Sequence, residues 1–420
     1  MPNFLPTHSF IADKTLEFLW EASGVIRYLN RTYDSSFQMT PNAIGKVVQV
    51  KQPPRYTAQN GPVITSLQPT NFGLDPFAVD QWKTVPMELT GEEMTFNSSK
   101  DLDIWAENNI KPAIAPIVSA VEDAVFSLYS SIPNIVGTAG TGPNTQDVIG
   151  QAMESLSIFE TPQNMRVCTL SPTGARKFIS GTTVFNNSGG AFNPQVQLGE
   201  QFQSGQMMGR VAGFDMLESN KIVSHTVGSL SGSPKVNAGS GNTITGTILP
   251  IDGSTTTNTL KNGDVITIST LYSVNPITKK STGQLRRFVV TKDFTASGGA
   301  GNVSIYPPII PSGAFQNVTG ATGDVTGAAD NADIVVLTGT ASTAYQQHMA
   351  WWKDAIGLVC VPVAPLTAGV KSETRNHEGL AITVSEGSDI MNYKSIRRID
   401  CAFGVKVFSA YTDQVVRITG

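Results

Sequence analysis

The chain has 420 residues, of which 40% are hydrophobic and only 15% charged, with a formal net charge of −4. This composition can bury a core and excludes a disordered polymer. No basic run exceeds two residues (Lys279-Lys280, Arg286-Arg287 and Arg397-Arg398 among them), so no concentrated cationic stretch of the kind that grips nucleic acid through phosphates is visible in the sequence.

Residues 1–44 read as an apolar N-terminal arm. Ile11, Leu16, Leu19, Val25 and Ile26 recur near helical spacing, predicting an amphipathic helix from Ile11 to about Tyr28 with Ser9 as its cap. Phe4, Leu5, Phe10, Phe18 and Trp20 make this arm apolar enough to require a covering surface, in its own chain or a neighbour's. Residues 45–98 read as an extended loop. A strand at Val47–Lys51 leads out, Tyr56–Phe77 is rich in Pro and Gly, and Val79–Leu89 returns with period-2 alternation at Val85, Met87 and Leu89. Because connections beyond ~15 residues are uncommon inside compact domains, Tyr56–Phe77 is expected to contact a neighbouring subunit.

Leu102–Ile132 predicts a long helix. Trp105, Ile110, Ile114, Ile117, Val121, Val125, Leu128 and Ile132 form one stripe, and Pro112 and Pro116 predict a kink or break. Further elements follow: a helix from Thr145 or Asp147 to Ile158, a strand at Met165–Leu170, a short helix opened by Ser171-Pro172, and a Gly-rich stretch over Gly199–Ile222.

At Ser224 the composition changes. From there to Ala344 there is no Glu, Met, Trp or Cys, and 16 of the chain's 39 glycines occur. Alternating runs at Thr243–Ile251, Asp264–Ser269, Leu285–Lys292, Val303–Tyr306 and Asp333–Leu337 predict a small all-β barrel or sandwich with Ile266, Ile268, Phe288, Val290 and Val336 in its core. The polar segment Gly239–Thr259, with Ser254 to Asn258, reads as a solvated loop. Tyr345–Lys353 reads as helical, followed by strands at Ile356–Val363, Leu380–Ser385, Ile396–Phe408 and Val415–Thr419. The class is α+β with an inserted β-domain.

Chemistry is sparse. No nucleophile elbow, phosphate loop, dinucleotide fingerprint, zinc-helix motif or Cys-x-x-Cys pair occurs. His8, His225, His348 and His377 have no spacing that suggests a metal site. Glu92, Glu93, Asp101 and Asp103 flank the long helix and favour its dipole rather than forming a catalytic pair. Trp351 and Trp352 read as core. Cys168, Cys360 and Cys401, each in an apolar stretch, read as buried thiols in a reducing cytoplasm. No catalytic, cofactor-binding or metal-binding residue and no cofactor is assigned. The N-terminus lacks a signal-peptide pattern, and no unbroken run approaches 18 apolar residues, so no membrane span is expected.

Three stretches carry a resemblance. Gly209-Arg210-Val211-Ala212-Gly213-Phe214-Asp215 with Ser219-Asn220-Lys221 looks like a turn and strand preceding an insertion. Gly263-Asp264-Val265-Ile266-Thr267-Ile268 and Phe288-Val289-Val290-Thr291 look like strands of the inserted domain. His348 to Val359 and Gly404-Val405-Lys406-Val407-Phe408 look like the return and the C-terminal strands. In this order they resemble the tailed-phage major capsid fold, in the subgroup with an inserted β-barrel such as the coat protein of short-tailed Salmonella phages.

That resemblance implies an N-arm (1–44), an extended loop (45–98), a peripheral spine-helix domain (99–165 and 386–420), an axial domain (166–223 and 345–385) and the barrel (224–344). It implies self-assembly into hexamers and pentamers of an icosahedral virion shell in the bacterial host cytoplasm. The implied partners are a separate scaffolding protein and a portal protein, with a decoration protein as an optional further one. The packaged double-stranded DNA is enclosed without specific binding, and no enzymatic activity is implied. The alternative reading is a phage-tail or secreted β-rich adhesin that binds carbohydrate. It requires an aromatic-lined groove, yet the β-domain has no Trp and only Tyr272 and Tyr306 as tyrosines.

Overall fold

The computed structural model describes residues 8–22, 24–32, 47–56, 58, 61–64, 67, 72–90, 102–182, 209–239, 241–320, 327–364, 370–377 and 380–420. Helix α1 (His8–Ala22) includes Ser9 within it instead of starting after it, and it stops short of Tyr28. Beyond Gly24, a poor helix former, the chain makes a separate 3-10 turn at Ile26–Tyr28. Strands β1 (Val47–Lys51), β2 (Leu74–Ala78) and β3 (Gln81–Thr90) come next.

Helix α2 (Leu102–Ser127) runs without a break through Pro112 and Pro116, where a kink or break was expected. Ile110, Ile114, Ile117, Val121 and Val125 are all buried. At ~1.5–3 kcal/mol each, that stripe outweighs the ~3 kcal/mol cost of an interior Pro. Trp105's side chain lies outside the described residues. The stretch Asn108–Ser131 is long and apolar enough to cross a membrane by length and composition alone, which the absence of an unbroken apolar run had not suggested. Its apolar face is nevertheless buried in protein.

After α2 come β4 (Ile135–Val136), α3 (Gln146–Ile158), β5 (Arg166–Leu170), α4 (Pro172–Thr182), β6 (Arg210–Val211), β7 (Phe214–Glu218) and β8 (Ser224–Thr226). The insertion contributes β9 (Gly232–Val236), β10 (Thr243–Ile244), β11 (Gly246–Ser254), β12 (Thr259–Leu260), β13 (Val265–Val274) and β14 (Ser281–Val290). It continues with β15 (Phe294–Thr295), β16 (Gly301–Ile309), β17 (Val318–Thr319), β18 (Ala328–Ala329) and β19 (Ile334–Val336). The chain returns through β20 (Ala344–Trp352), β21 (Ile356–Val361), β22 (Lys371–His377), β23 (Leu380–Asp389), β24 (Lys394–Val407) and β25 (Val415–Thr419).

Two compact units result, drawn from residues 1–51, 74–125 and 356–408, and from 52–73, 126–355 and 409–420. In the first, an antiparallel sheet runs β21-β24-β23-β22, and β3 also pairs with β24. The β3 register, from Gln81 opposite Phe403 to Thr90 opposite Lys394, makes this returning strand part of the sheet and not a free loop arm. Asp400 locks the pairing: its carboxylate accepts bonds from Trp82 Nε1 (3.2 Å), Thr84 Oγ1 (2.5 Å) and Arg398 Nη2 (2.6 Å). These donors hold its carboxyl below the usual range against the raising effect of burial, which is the largest influence on it. Helix α1 packs against β22 and β23. Gly404 has a direct packing reason, because a Cβ there would meet the Ala78 carbonyl oxygen at 2.1 Å.

In the second unit a mixed sheet runs β4-β25-β20-β5-β7-β6, with β8 pairing to β20. The Gly209–Asp215 motif is here a hairpin: β6 pairs with β7, Val211 opposite Phe214, across Ala212 (φ 47°) and Gly213 (φ 83°). Positive φ at both central residues is the type I′ pattern that matches strand twist. The expected helix at Tyr345–Lys353 is β20, a central strand between β25 and β5. Gln347 to Trp351 are all buried, so neither face shows alternation, and a short apolar run of this kind fits either period.

The insertion forms a seven-stranded, nearly closed antiparallel sheet in the order β17-β13-β14-β16-β11-β9, with β19 on β13. Its core includes Ile266, Ile268, Phe288 and Val290, with Val336 packed against it. The Gly239–Thr259 segment is not one solvated loop, for it contains β10, β11 and the start of β12. Asn258 is buried and donates from Nδ2 to the Ser231 carbonyl at 2.8 Å, while its own carbonyl accepts the Ala296 N–H at 2.8 Å.

Candidate functional site: a buried polar clamp and exposed apolar segments

Where β8 leads into the insertion, His225 is set opposite Tyr345 in the β8–β20 pairing. The turn before β13 requires Gly263, whose φ is +99°, and it delivers Asp264 to the imidazole. His225 Nε2 lies 2.8 Å from Asp264 Oδ1, and Tyr129 Oη lies 3.3 Å from His225 Nδ1. The second Asp264 oxygen accepts the backbone N–H groups of Gly228 (3.0 Å) and Lys261 (2.7 Å). Arg417, on β25, donates to the Gly263 carbonyl at 2.9 Å, and its guanidinium sits 5.7 Å from the Tyr129 ring centroid. Burial raises the Tyr129 hydroxyl pKa and lowers that of Arg417 to about 10, so Arg417 stays charged near neutrality.

A Tyr–His–Asp chain has the look of acid–base machinery. Yet His225, Asp264 and Arg417 are 3%, 0% and 0% exposed, so no substrate reaches them. The group is a clamp that fastens β8, which leads into the insertion, to the turn before β13 and to Arg417 on β25.

His348 is likewise enclosed. Ser171 caps α4, its Oγ accepting the Gly174 N–H at 3.0 Å with Pro172 at the first helical position. The Ser171 backbone N–H donates to His348 Nδ1 at 3.1 Å. That bond needs an unprotonated Nδ1. Burial first, and Lys177 second, lower the His348 pKa to about 4. No carboxylate completes a triad with this Ser–His pair in the hydrogen bonds described.

Cys168, Cys360 and Cys401 are buried thiols, and burial raises the Cys168 pKa to about 12. Trp351 is fully buried. Among the described residues no group of three or more His, Cys, Asp or Glu side chains is placed to hold a metal ion. Glu92, Glu93 and Asp101, and the side chains of His8, Asp103 and His377, lie outside the described residues.

Several large apolar side chains remain open to solvent. In the connection between β1 and β2, Tyr56, Val63, Ile64 and Phe72 are exposed, and Leu67 is 88% exposed. The end of that stretch behaves differently from the expectation of a wholly outward loop. Phe77 is buried edge-on against Phe408, and Asp75 is buried in an ion pair with Lys406. At the β23–β24 turn, Ile390 and Met391 are 89% and 93% exposed, beside exposed Tyr393. This turn is braced from within: Asp389 Oδ1 accepts the Met391 N–H at 2.9 Å, and Asn392 Nδ2 donates to Asp389 Oδ2 at 2.7 Å. A braced turn and a Pro-containing connection that both carry exposed large apolar side chains are candidate interaction surfaces.

Among solved structures, the chain is similar to a structure from Mycobacterium phage Che8 at 12% identity. The alignment covers 94% of this chain and 89% of that one, with a TM-score of 0.45. It is also similar to the capsid of Ralstonia phage GP4 (9% identity, 93% and 86% covered, TM-score 0.42). A third likeness is to the capsid of cyanophage P-SCSP1u (12% identity, 89% and 83% covered, TM-score 0.40). Among curated proteins none matches by sequence. The family model described as "P22 coat protein - gene protein 5" matches residues 76–412. That span takes in β3, α2, the whole insertion and the sheet around β24, so the chain belongs to the P22 coat protein family and is a phage major capsid protein, a subunit of an icosahedral shell.

Proposed function

We propose that the chain forms hexamers and pentamers through the Tyr56–Phe72 connection and the Ile390–Tyr393 turn, guided by a separate scaffolding protein in the host cytoplasm. The observation that carries this reading is the exposure of Leu67, Ile390 and Met391 in a coat subunit. Burying one such side chain contributes ~1.5–3 kcal/mol, and repeated around a ring of subunits the sum supports a closed shell. On the same reading a portal protein and a decoration protein join the particle, and the insertion contacts a neighbouring capsomer around Gly239–Thr259. The domain division is that of an arm (1–44), an extended loop (45–98), a peripheral domain (99–165 and 386–420), an axial domain (166–223 and 345–385) and the barrel (224–344).

The subunit has no enzymatic role in this account and holds packaged DNA without gripping it. Its formal charge of −4 supports that part, because a shell that bound phosphates tightly would impede movement of the genome. Expression with and without the phage's scaffolding protein, followed by negative-stain microscopy, tests the reading. Uniform shells only in the presence of scaffold are expected. Soluble monomers under both conditions contradict it.

A further inference from the structure

A cavity of about 340 Å³ opens beside the edge strand β4, walled by Ile135 and Leu337 on its apolar side. Its polar lining comes from two elements, Gln151 and Ser155 on α3 and Gln284 and Arg287 on β14. Gln151 is already engaged, donating from Nε2 to Asp147 Oδ2 at 2.9 Å. Ser155 is only 4% exposed, and its hydroxyl has no hydrogen-bond partner among the described residues. The neighbouring arginine, Arg286, is spent on Asp413 at 2.7 Å. The Arg287 guanidinium makes no ion pair or hydrogen bond among the described residues, so the cavity holds a cation that no carboxylate contacts directly.

A buried hydroxyl without a partner and a half-buried guanidinium without a counter-charge each cost free energy in the lone subunit. A carboxylate that enters offsets both costs, since a guanidinium takes two carboxylate oxygens in a fork and a hydroxyl can donate to either. Glu154, also lining the cavity, is exposed and is the one carboxylate that acts electrostatically on Arg287. It leaves the cation partly compensated while the subunit is alone.

We propose that this cavity receives an acidic side chain from a second copy of the chain when subunits assemble. A copy of the same chain is the occupant because assembly is the family's function and because the chain has 33 acidic against 29 basic residues. Every neighbour therefore brings carboxylates in excess of its own cations. The apolar wall formed by Ile135 and Leu337 suits the stem of a Glu or Asp and the backbone that carries it.

This inference rests on the shell-forming role, and the test separates the two. Arg287→Gln and Arg287→Lys are compared with the wild type for folding, by circular dichroism, and for assembly with scaffold, by sedimentation. Both variants should fold, since no internal partner is lost. Arg287→Gln should raise the critical concentration for shell formation about tenfold or more, the loss expected for one charge-assisted contact, while Arg287→Lys should retain part of the function. A map of wild-type shells should show side-chain density from a neighbouring copy against Arg287. Unchanged assembly by Arg287→Gln, or a solvent-filled cavity in the shell, overturns the proposal and leaves the coat role standing. Failure of the wild type to form any shell overturns both.

Discussion

His225 and Asp264, 39 residues apart in sequence, meet at 2.8 Å in a site closed to water. Asp264 also satisfies two backbone N–H groups, so it is the hub of the clamp. Replacing it with Ala would strand those donors and the imidazole together. Thermal or denaturant unfolding of Asp264→Ala should show a loss of ~3–5 kcal/mol. A loss under about 1 kcal/mol would mean that the clamp is decorative.

The insertion's core residues come from its own strands. Residues 224–344 expressed alone should therefore give a dispersed amide-proton NMR spectrum. A collapsed spectrum would show that the barrel depends on the partners it loses, Tyr129 and Arg417.

His348 gives a pH signature. Its pKa is lowered from 6.5 to about 4 in the fold. Between those values the unfolded chain binds a proton that the folded chain does not. Stability from this group is full above pH 6.5, falls as pH drops, and is gone below about pH 4. At ~1.4 kcal/mol per pH unit the total is about 3 kcal/mol. His348→Gln keeps an acceptor for the Ser171 N–H and should flatten this part of a stability–pH curve. An identical curve for both proteins would refute the assignment.

The spine helix α2 should not tolerate charge on its stripe. Val121 is 2% exposed, and Val121→Asp places an unpaired carboxylate in an apolar interface at a cost of several kcal/mol, against a typical ~5–15 for a whole domain. Insoluble protein is expected, with loss at folding. Soluble, assembling Val121→Asp subunits would show that the stripe is not a core.

Much of this architecture could be read from residue patterns, and the parts that could not have physical reasons. The insertion was legible because Gly-rich turns punctuate period-2 runs and because a 121-residue stretch lacks Glu, Met, Trp and Cys. β20 was not, since a central strand buried on both faces has no alternation to display. β22 (Lys371–His377) was missed because Lys371, Glu373 and Arg375 give it the composition of a loop. The clamp and the Arg287 cavity join residues far apart in sequence, and no local pattern marks such pairings. Asn258 looked like one more polar loop residue until its carbonyl and amide were seen holding β15 and the Ser231 turn.

The two apolar surfaces should matter only for assembly. Leu67→Asp and Met391→Asp change exposed positions, so each should cost under about 0.5 kcal/mol of subunit stability. Sedimentation with scaffold should nevertheless show soluble subunits in place of shells. Normal shells from both variants would remove these segments from the interface.

The most direct test of the account is a cryo-electron microscopy map of wild-type shells at side-chain resolution. The account predicts that Val63, Ile64, Leu67, Ile390 and Met391, all exposed in the single chain, are each covered by a neighbouring copy. A shell in which these side chains still face solvent, with subunits joined through other surfaces, would contradict it.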